Sequence, residues 1–233
     1  MSTLLMRLAA PLQSWGVDAK FERRGTERMP SKSGVLGLVA AALGRRRNES
    51  IDDLARLCFG VRADKEGVLL RDFHTAKSLE AAYVTNRYYL SDAVFLAGLE
   101  GDEQLLISIE QALKNPVFPL ALGRRSCPPE GQVALGIRFG KALLPALRDE
   151  PWLVSDWTKG GEAPEVRLRI VSDAGLDAGP AYLQRDMPLA FDQLHRKHGF
   201  RLVAEGAAVT LPNPSSRRAA RLPHTSHDAM TGL

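Results

Sequence analysis

Pro30-Ser31-Lys32-Ser33-Gly34-Val35-Leu36-Gly37-Leu38-Val39-Ala40-Ala41-Ala42-Leu43-Gly44-Arg45-Arg46-Arg47 is the stretch on which the fold turns. A Pro-Ser-x-Ser start, an alanine-rich apolar run and a closing glycine predict a helix over about Ser33–Leu43. Gly34 and Gly37, with Ala40 and Ala41, put small residues on one face, as close packing on a sheet requires. Upstream, Thr3–Leu8 reads as a strand ended by Pro11, and Gln13–Arg28 as a polar connection holding Trp15 and Phe21. Downstream come a short helix near Ile51–Leu57 and strands at Cys58–Arg62 and Val68–Phe73 about an Asp64–Gly67 turn. Tyr88–Leu99 is a further strand. Asp102–Leu113 is an amphipathic helix: Asp102 caps it, Leu105, Leu106, Ile109 and Leu113 form the buried stripe, and Pro116 stops it. Val133–Phe139 closes the series as a strand.

Strand, helix, strand, strand, helix, strand is the split βαβ order of an α+β, ferredoxin-like domain, the fold of RNA-recognition modules. From Pro145 the texture changes to Pro, Gly and Asp punctuation around short strands such as Val166–Val171 and Arg201–Val209. The expected division is 1–144 as the ferredoxin-like unit, 145–211 as a smaller, mostly β domain, and 212–233 as a basic, flexible tail. No solenoid-type repeat occurs.

Composition narrows the function classes. The chain has 233 residues, a hydrophobic fraction of 45% and no apolar run of membrane-spanning length. Met1–Leu12 is too short and too weakly flanked for a secretion signal. Cys58 and Cys127 make no disulfide framework, so a reducing, cytoplasmic setting is expected. The net charge is only +4, yet arginine far outnumbers lysine and clusters at Arg23-Arg24 with Arg28, Arg45–Arg47, Arg124-Arg125 and Arg217-Arg218 with Arg221. Arginine-rich codon usage explains the bias but not the clustering. Segregated guanidinium groups point to a basic face for nucleic acid.

Leu122-Gly123-Arg124-Arg125-Ser126-Cys127-Pro128 sharpens that reading. The glycine lets backbone approach a ligand, and two adjacent guanidinium forks match phosphate geometry; the alternative is a solvated turn. The helix start at Ser31, Lys32 and Ser33 offers free N–H groups and partial positive charge to an anion, although no Walker A loop is present. A capped core helix is the structural alternative there.

Four motifs in order resemble the CasD family, the fifth CRISPR-associated family as found in subtype I-E. They are Leu8-Ala9-Ala10-Pro11-Leu12-Gln13-Ser14-Trp15-Gly16, Pro30–Gly37, Asp72-Phe73-His74-Thr75, and Leu122–Pro128. The likeness runs from the first strand to about Pro128 and is weaker after it, where Arg185 and Met187-Pro188 still fall in place. The resemblance implies a domain of the RAMP superfamily with a protruding thumb hairpin and a small C-terminal β domain. It implies a crRNA-binding subunit of the Cascade complex that holds the repeat-derived 5′ handle beside the backbone and large subunits and meets target DNA only through the complex. The thumb is bracketed by Asp72–Thr75 and Val84–Leu90, about residues 76–87, and is short. Carried over, the handle contacts are Gln13, Ser14 and Trp15, then Lys32 and Ser33, Arg87 and Tyr89, and Gly123, Arg124, Arg125 and Ser126. Trp15 reads equally as a core residue, and for Tyr88 against Tyr89 only alternation decides which faces outward.

Relatives in another subtype are metal-independent endoribonucleases, so an enzymatic alternative stands beside the non-catalytic reading. His74, Lys77 and Tyr83 are its local acid–base set, and a strand-end histidine bonded to backbone is the structural alternative. His195-x-x-His198 and His224-x-x-His227 have metal-ligand spacing but no second ligand pair nearby. Cys127 reads as a small buried filler and Asp52-Asp53 as the acidic first turn of a helix. No metal or cofactor is expected.

Overall fold

The structure is a computed structural model that describes residues 1–16, 23–77, 82–176, 180–192 and 197–218. In chain order the elements are β1 (Ser2–Ala9), β2 (Leu12–Gln13), β3 (Arg23–Arg24), α1 (Lys32–Ala42), α2 (Asp52–Ala55), β4 (Cys58–Lys65), β5 (Val68–Lys77), β6 (Ala82–Ser91), β7 (Val94–Gly101), α3 (Glu103–Lys114), β8 (Ala134–Arg138), α4 (Leu143–Asp149), α5 (Asp156–Gly161), β9 (Glu165–Leu168), β10 (Ile170–Asp173), β11 (Ala181–Ala190), β12 (Lys197–Glu205) and β13 (Val209–Pro212).

Seven strands form one antiparallel sheet in the order β11-β12-β10-β4-β7-β1-β8. Strand β1 shows why helices cover both faces. Leu4, Met6 and Leu8 alternate into a core shared with Val35, Leu36 and Val39 of α1 and Leu106 and Ile109 of α3. Leu5 points the other way, into a second cluster with Leu143, Leu144 and Leu147 of α4. Adjacent apolar residues such as Leu4, Leu5 and Met6, with no polar residue between them, are what a sheet buried on both faces requires.

Helix α1 forms where the sequence places it. The Ser31 hydroxyl accepts from the Gly34 N–H at 3.3 Å as N-cap. A Cβ on Gly34 would lie 2.8 Å from the Trp15 ring, so that glycine seats the indole. In α3, Asp102 accepts from the Leu105 N–H at 3.0 Å, and Leu106, Ile109 and Leu113 are buried, with Leu105 at the margin.

The expected Tyr88–Leu99 strand is two strands. Asp92 takes φ +52 at the corner between β6 and β7, a turn hidden inside an apolar run. Likewise Val166–Val171 breaks at Arg169 into β9 and β10. The hairpin β5–β6 is longer than residues 76–87: its pairs run from Val68↔Ser91 to Lys77↔Ala82, ten residues a side. Its base rests on β2, and β3 lies parallel to β6 at Asn86 and Arg87.

The C-terminal stretch differs most from expectation. Strand β10 hydrogen-bonds to β4, so β10, β12 and β11 extend the same sheet, while β9 and β13 pair in a separate two-stranded sheet. Pro145 sits in the first turn of α4, where its missing N–H leaves no bond unmade. The start of the presumed tail is pinned: the Asn213 amide donates to Lys159 O at 2.8 Å and Ala163 O at 2.9 Å, and the Ser216 hydroxyl to Glu162 O at 2.6 Å. Residues 219–233 lie outside the described residues. Among the described residues no helix is long and apolar enough to cross a membrane.

Candidate nucleic-acid interface

The loop after β1 is built from inward-facing polar groups. The Gln13 amide donates to Leu8 O at 3.2 Å and Ala93 O at 2.7 Å, and its oxygen accepts from the Trp15 indole at 3.0 Å. The Ser14 hydroxyl donates to Tyr88 O at 3.1 Å. Gln13, Ser14 and Trp15 are all buried, Trp15 at 1% exposure, so the indole packs on α1 and presents no face to a base. Sequence reasoning left Trp15 open between these roles, and the packing against Gly34 decides it.

This buried loop carries the arginine loop. Ser14 N–H donates to Leu122 O at 3.1 Å, and Leu122 N–H to Cys127 O at 2.7 Å. Gly123 has φ +87, and a Cβ there would fall 1.7 Å from the Ser14 carbonyl oxygen. Only glycine lets the two loops meet. Cys127 is 1% exposed, and burial pushes its thiol up, as a packing residue rather than a nucleophile.

Around Tyr89 the candidate residues converge. Arg124 lies over the Tyr89 ring at 4.6 Å and donates through Nη2 to Arg24 O at 2.7 Å. Burial raises the Tyr89 phenol pKa, but hydrogen bonds from Arg124, Ser126 and Arg87 outweigh it and hold the phenol below its usual range. Tyr89 is 3% exposed, so it orients its neighbours instead of stacking on a base. Arg87 Nε and Arg124 Nη1 are buried without an acceptor among the described residues. Arg125 and Ser126 are exposed next to them, Arg125 without a protein partner among the described residues.

Lys32 and Ser33 are placed elsewhere, and the anion expected at the α1 N-terminus comes from the chain itself. Asp186 accepts from the Lys32 N–H at 2.8 Å, while the Lys32 ammonium pairs with Asp173 at 3.2 Å. Lys32 is 4% and Ser33 8% exposed, which corrects their assignment as surface contacts. Arg201 completes the network, bound to Asp186 through Nε at 2.9 Å and Nη2 at 2.8 Å and to Asp173 at 2.7 Å. Burial lowers the Arg201 pKa, but the two carboxylates more than reverse it. Asp173, Asp186 and Arg201 were missed because no local motif marks them; the one signal was Asp186 between Arg185 and Met187. Arg45 is also used internally, in a bidentate pair with Asp53. Burial works against the Asp53 shift, yet the Arg45 bond prevails and holds that carboxyl low.

The acid–base set is split. Register and alternation put His74 and Tyr83 on one hairpin face and Lys77 on the other, so the three do not converge. His74 Nε2 contacts the Asp72 carboxylate, and both side chains are 42% exposed. Among the described residues no group of three or more His, Cys, Asp or Glu is disposed to hold a metal. His195, His224 and His227 lie outside the described residues.

Known proteins resemble this chain over most of its length. The family described as CRISPR-associated protein (Cas_Cas5) matches residues 3–204. The CRISPR system Cascade subunit CasD of Escherichia coli (strain K12) is 35% identical over 159 residues, 58% of this chain and 70% of that protein. The crystal structure of a Cas protein, 40% identical, superposes with a TM-score of 0.70 over 93% of this chain and 98% of that one. A chain of a CRISPR RNA-guided surveillance complex, 30% identical, superposes with a TM-score of 0.76 over 94% and 95%. With the motifs, the fold and a family match over residues 3–204 in agreement, this chain belongs to the CRISPR-associated Cas5 family and is related to Cascade subunit CasD.

Proposed function

We propose that this chain is a non-catalytic crRNA-binding subunit of a type I-E Cascade surveillance complex in antiviral defence. In this reading it holds the repeat-derived 5′ handle and bridges the backbone and large subunits. One observation carries it: Arg87 Nε and Arg124 Nη1 are both buried and without acceptors among the described residues, on two arginines that share Tyr89 as a hydrogen-bond partner. A buried donor left unmade costs about 1–3 kcal/mol, more when charged. Two such donors on arginines gathered by one tyrosine call for a ligand rich in acceptor oxygens, and a phosphate of single-stranded RNA supplies them. Arg125, Ser126 and the Gly123 backbone extend the contact, with Gln13, Ser14 and Trp15 as the platform beneath.

The fold reading follows the same line. With the β5–β6 hairpin set aside, β1, β4, β7 and β8 stand in the order β4-β7-β1-β8, with α1 and α3 on one face, which supports a ferredoxin-like unit of the RAMP superfamily within residues 1–144. Within residues 145–211, β10, β11 and β12 extend that sheet, the hairpin is the thumb, and 212–233 form a basic C-terminal segment. The protein acts in the cytoplasm, without metal or cofactor, and reaches target DNA only inside the complex.

Replacing Arg124 and Arg125 together by alanine is expected to weaken handle RNA binding at least about tenfold and to flatten the slope of log affinity against log salt by roughly 1.4 for two lost phosphate contacts. Filter binding over a salt series measures it, and an unchanged slope removes the arginine loop from the interface.

The Asp72 carboxylate beside His74 favours a second reading, a metal-independent endoribonuclease that processes precursor crRNA. The scaffold reading expects a repeat hairpin RNA to stay intact with the purified protein, with or without divalent metal. Specific cleavage abolished by His74→Ala would establish the endoribonuclease instead.

A further inference from the structure

We propose that the edge of β12 beside α2, uncovered by any strand among the described residues, is a strand-addition site for an extended segment of a partner protein, a surface separate from the arginine loop. Ala174 N–H donates to Leu202 O at 2.9 Å, so the backbone groups of Leu202 face away from β11. Alternation turns the N–H and C=O of Phe200 to that same side. Strand β10 ends at Asp173, opposite Val203, and no strand among the described residues covers Phe200. The edge therefore offers both backbone groups of Phe200 and the N–H of Leu202.

The side chains define what fits. Leu183 lies opposite Leu202, and alternation brings Phe200 to the same face; their exposures are 67%, 51% and 66%. Between this edge and α2 runs a groove of about 390 Å³ whose lining includes Lys32, Arg56, Asp173, Met187, Phe200 and Arg201. Lys32 is already paired with Asp173, whereas Arg56 is exposed with no ion pair among the described residues. An added strand puts alternate side chains beside Phe200 and Leu202, which selects apolar residues. The intervening ones enter the groove toward Arg56, which selects a carboxylate.

The other edge strand is protected, and among the described residues this one is not. Strand β11 carries Pro188 and two register shifts, the usual devices against unwanted pairing. From Phe200 to Leu202, β12 has neither. So short an edge binds weakly alone and contributes within an assembly held at several points. The occupant is therefore a neighbouring protein subunit, which makes this inference rest on the complex membership proposed above.

The test compares amide hydrogen exchange at Phe200 and Leu202 in the isolated chain and in the purified guide-RNA particle. Fast exchange alone and slow exchange in the particle, retained after ribonuclease trimming, is expected. Phe200→Pro removes one edge donor at a position where an edge strand tolerates proline, and Phe200→Glu places a charge on the exposed face. Both variants, with unchanged melting midpoints, are expected to enter the particle at least about tenfold less well in competition with the unmodified chain; if the proline variant fails to fold, the glutamate variant decides. Equal exchange in the free and assembled states, or undiminished entry of the glutamate variant, overturns the proposal. Protection lost on ribonuclease treatment assigns the edge to RNA and overturns it equally. An unmodified chain that enters no particle defeats the function proposed above, whereas entry with an unprotected edge defeats this inference alone.

Discussion

Asp186→Ala is expected to lower folding stability by about 3–5 kcal/mol, the range for removing one partner of a buried ion pair. Asp186 has no exposed surface and accepts three bonds: two from Arg201, itself 8% exposed, and one from the Lys32 N–H at the start of α1. Its loss leaves the Arg201 guanidinium with Asp173 alone and strips the helix terminus of its anion. The same carboxylate ties β11 to α1, so the β11–β12 hairpin should loosen first. Denaturant unfolding gives the stability, and inorganic phosphate added to the variant should restore part of it by occupying the vacated terminus. A loss below about 1 kcal/mol, the worth of an exposed pair, would mean that the network is solvated and Lys32 open to RNA.

Gly123→Ala is expected to abolish most handle binding while sparing the rest of the fold. At φ +87 any side chain is strained by about 1–3 kcal/mol, and the added Cβ falls 1.7 Å from the Ser14 carbonyl oxygen, so the loops must separate. Separation carries Arg124 away from the Tyr89 ring and breaks its bond to Arg24 O. RNA affinity should then fall at least as far as in the double arginine variant, by a factor on the order of ten to a hundred. The melting midpoint should fall by about 2–12 °C, the equivalent of that strain in a chain of this size, with the cooperative transition retained. Filter binding with a parallel melt checks both, and unmodified affinity would show that loop contact is dispensable.

The two results probe different kinds of legibility. The glycine of the arginine loop stood out because a residue without Cβ permits close backbone approach and because two arginines follow it. Asp186 gave no such sign: it is one acidic residue in a punctuated stretch, and its bond to the Lys32 N–H spans 154 positions. Lys32 and Ser33 were read as contacts because a polar helix start looks the same whether its anion comes from a ligand or from the chain.

Local chemistry in the sequence was sufficient for α1, with Ser31 as cap and Gly44 at its end, for the buried stripe of α3 and for β1 as a strand; it marked Gly123 as a close-approach glycine but not that the backbone it admits is that of Ser14. Each depends on conformational preference or periodicity within one or two turns of chain. Tertiary structure alone decided that Gln13, Ser14 and Trp15 face inward, that β10 joins β4 in one sheet across residue 145, that Tyr89 gathers Arg87 and Arg124, and that Asp186 fills the α1 terminus. The reason is physical: whether a polar group is buried, and which charge neutralises it, depends on segments brought together only when the chain closes its core, and sequence spacing carries no record of those distances.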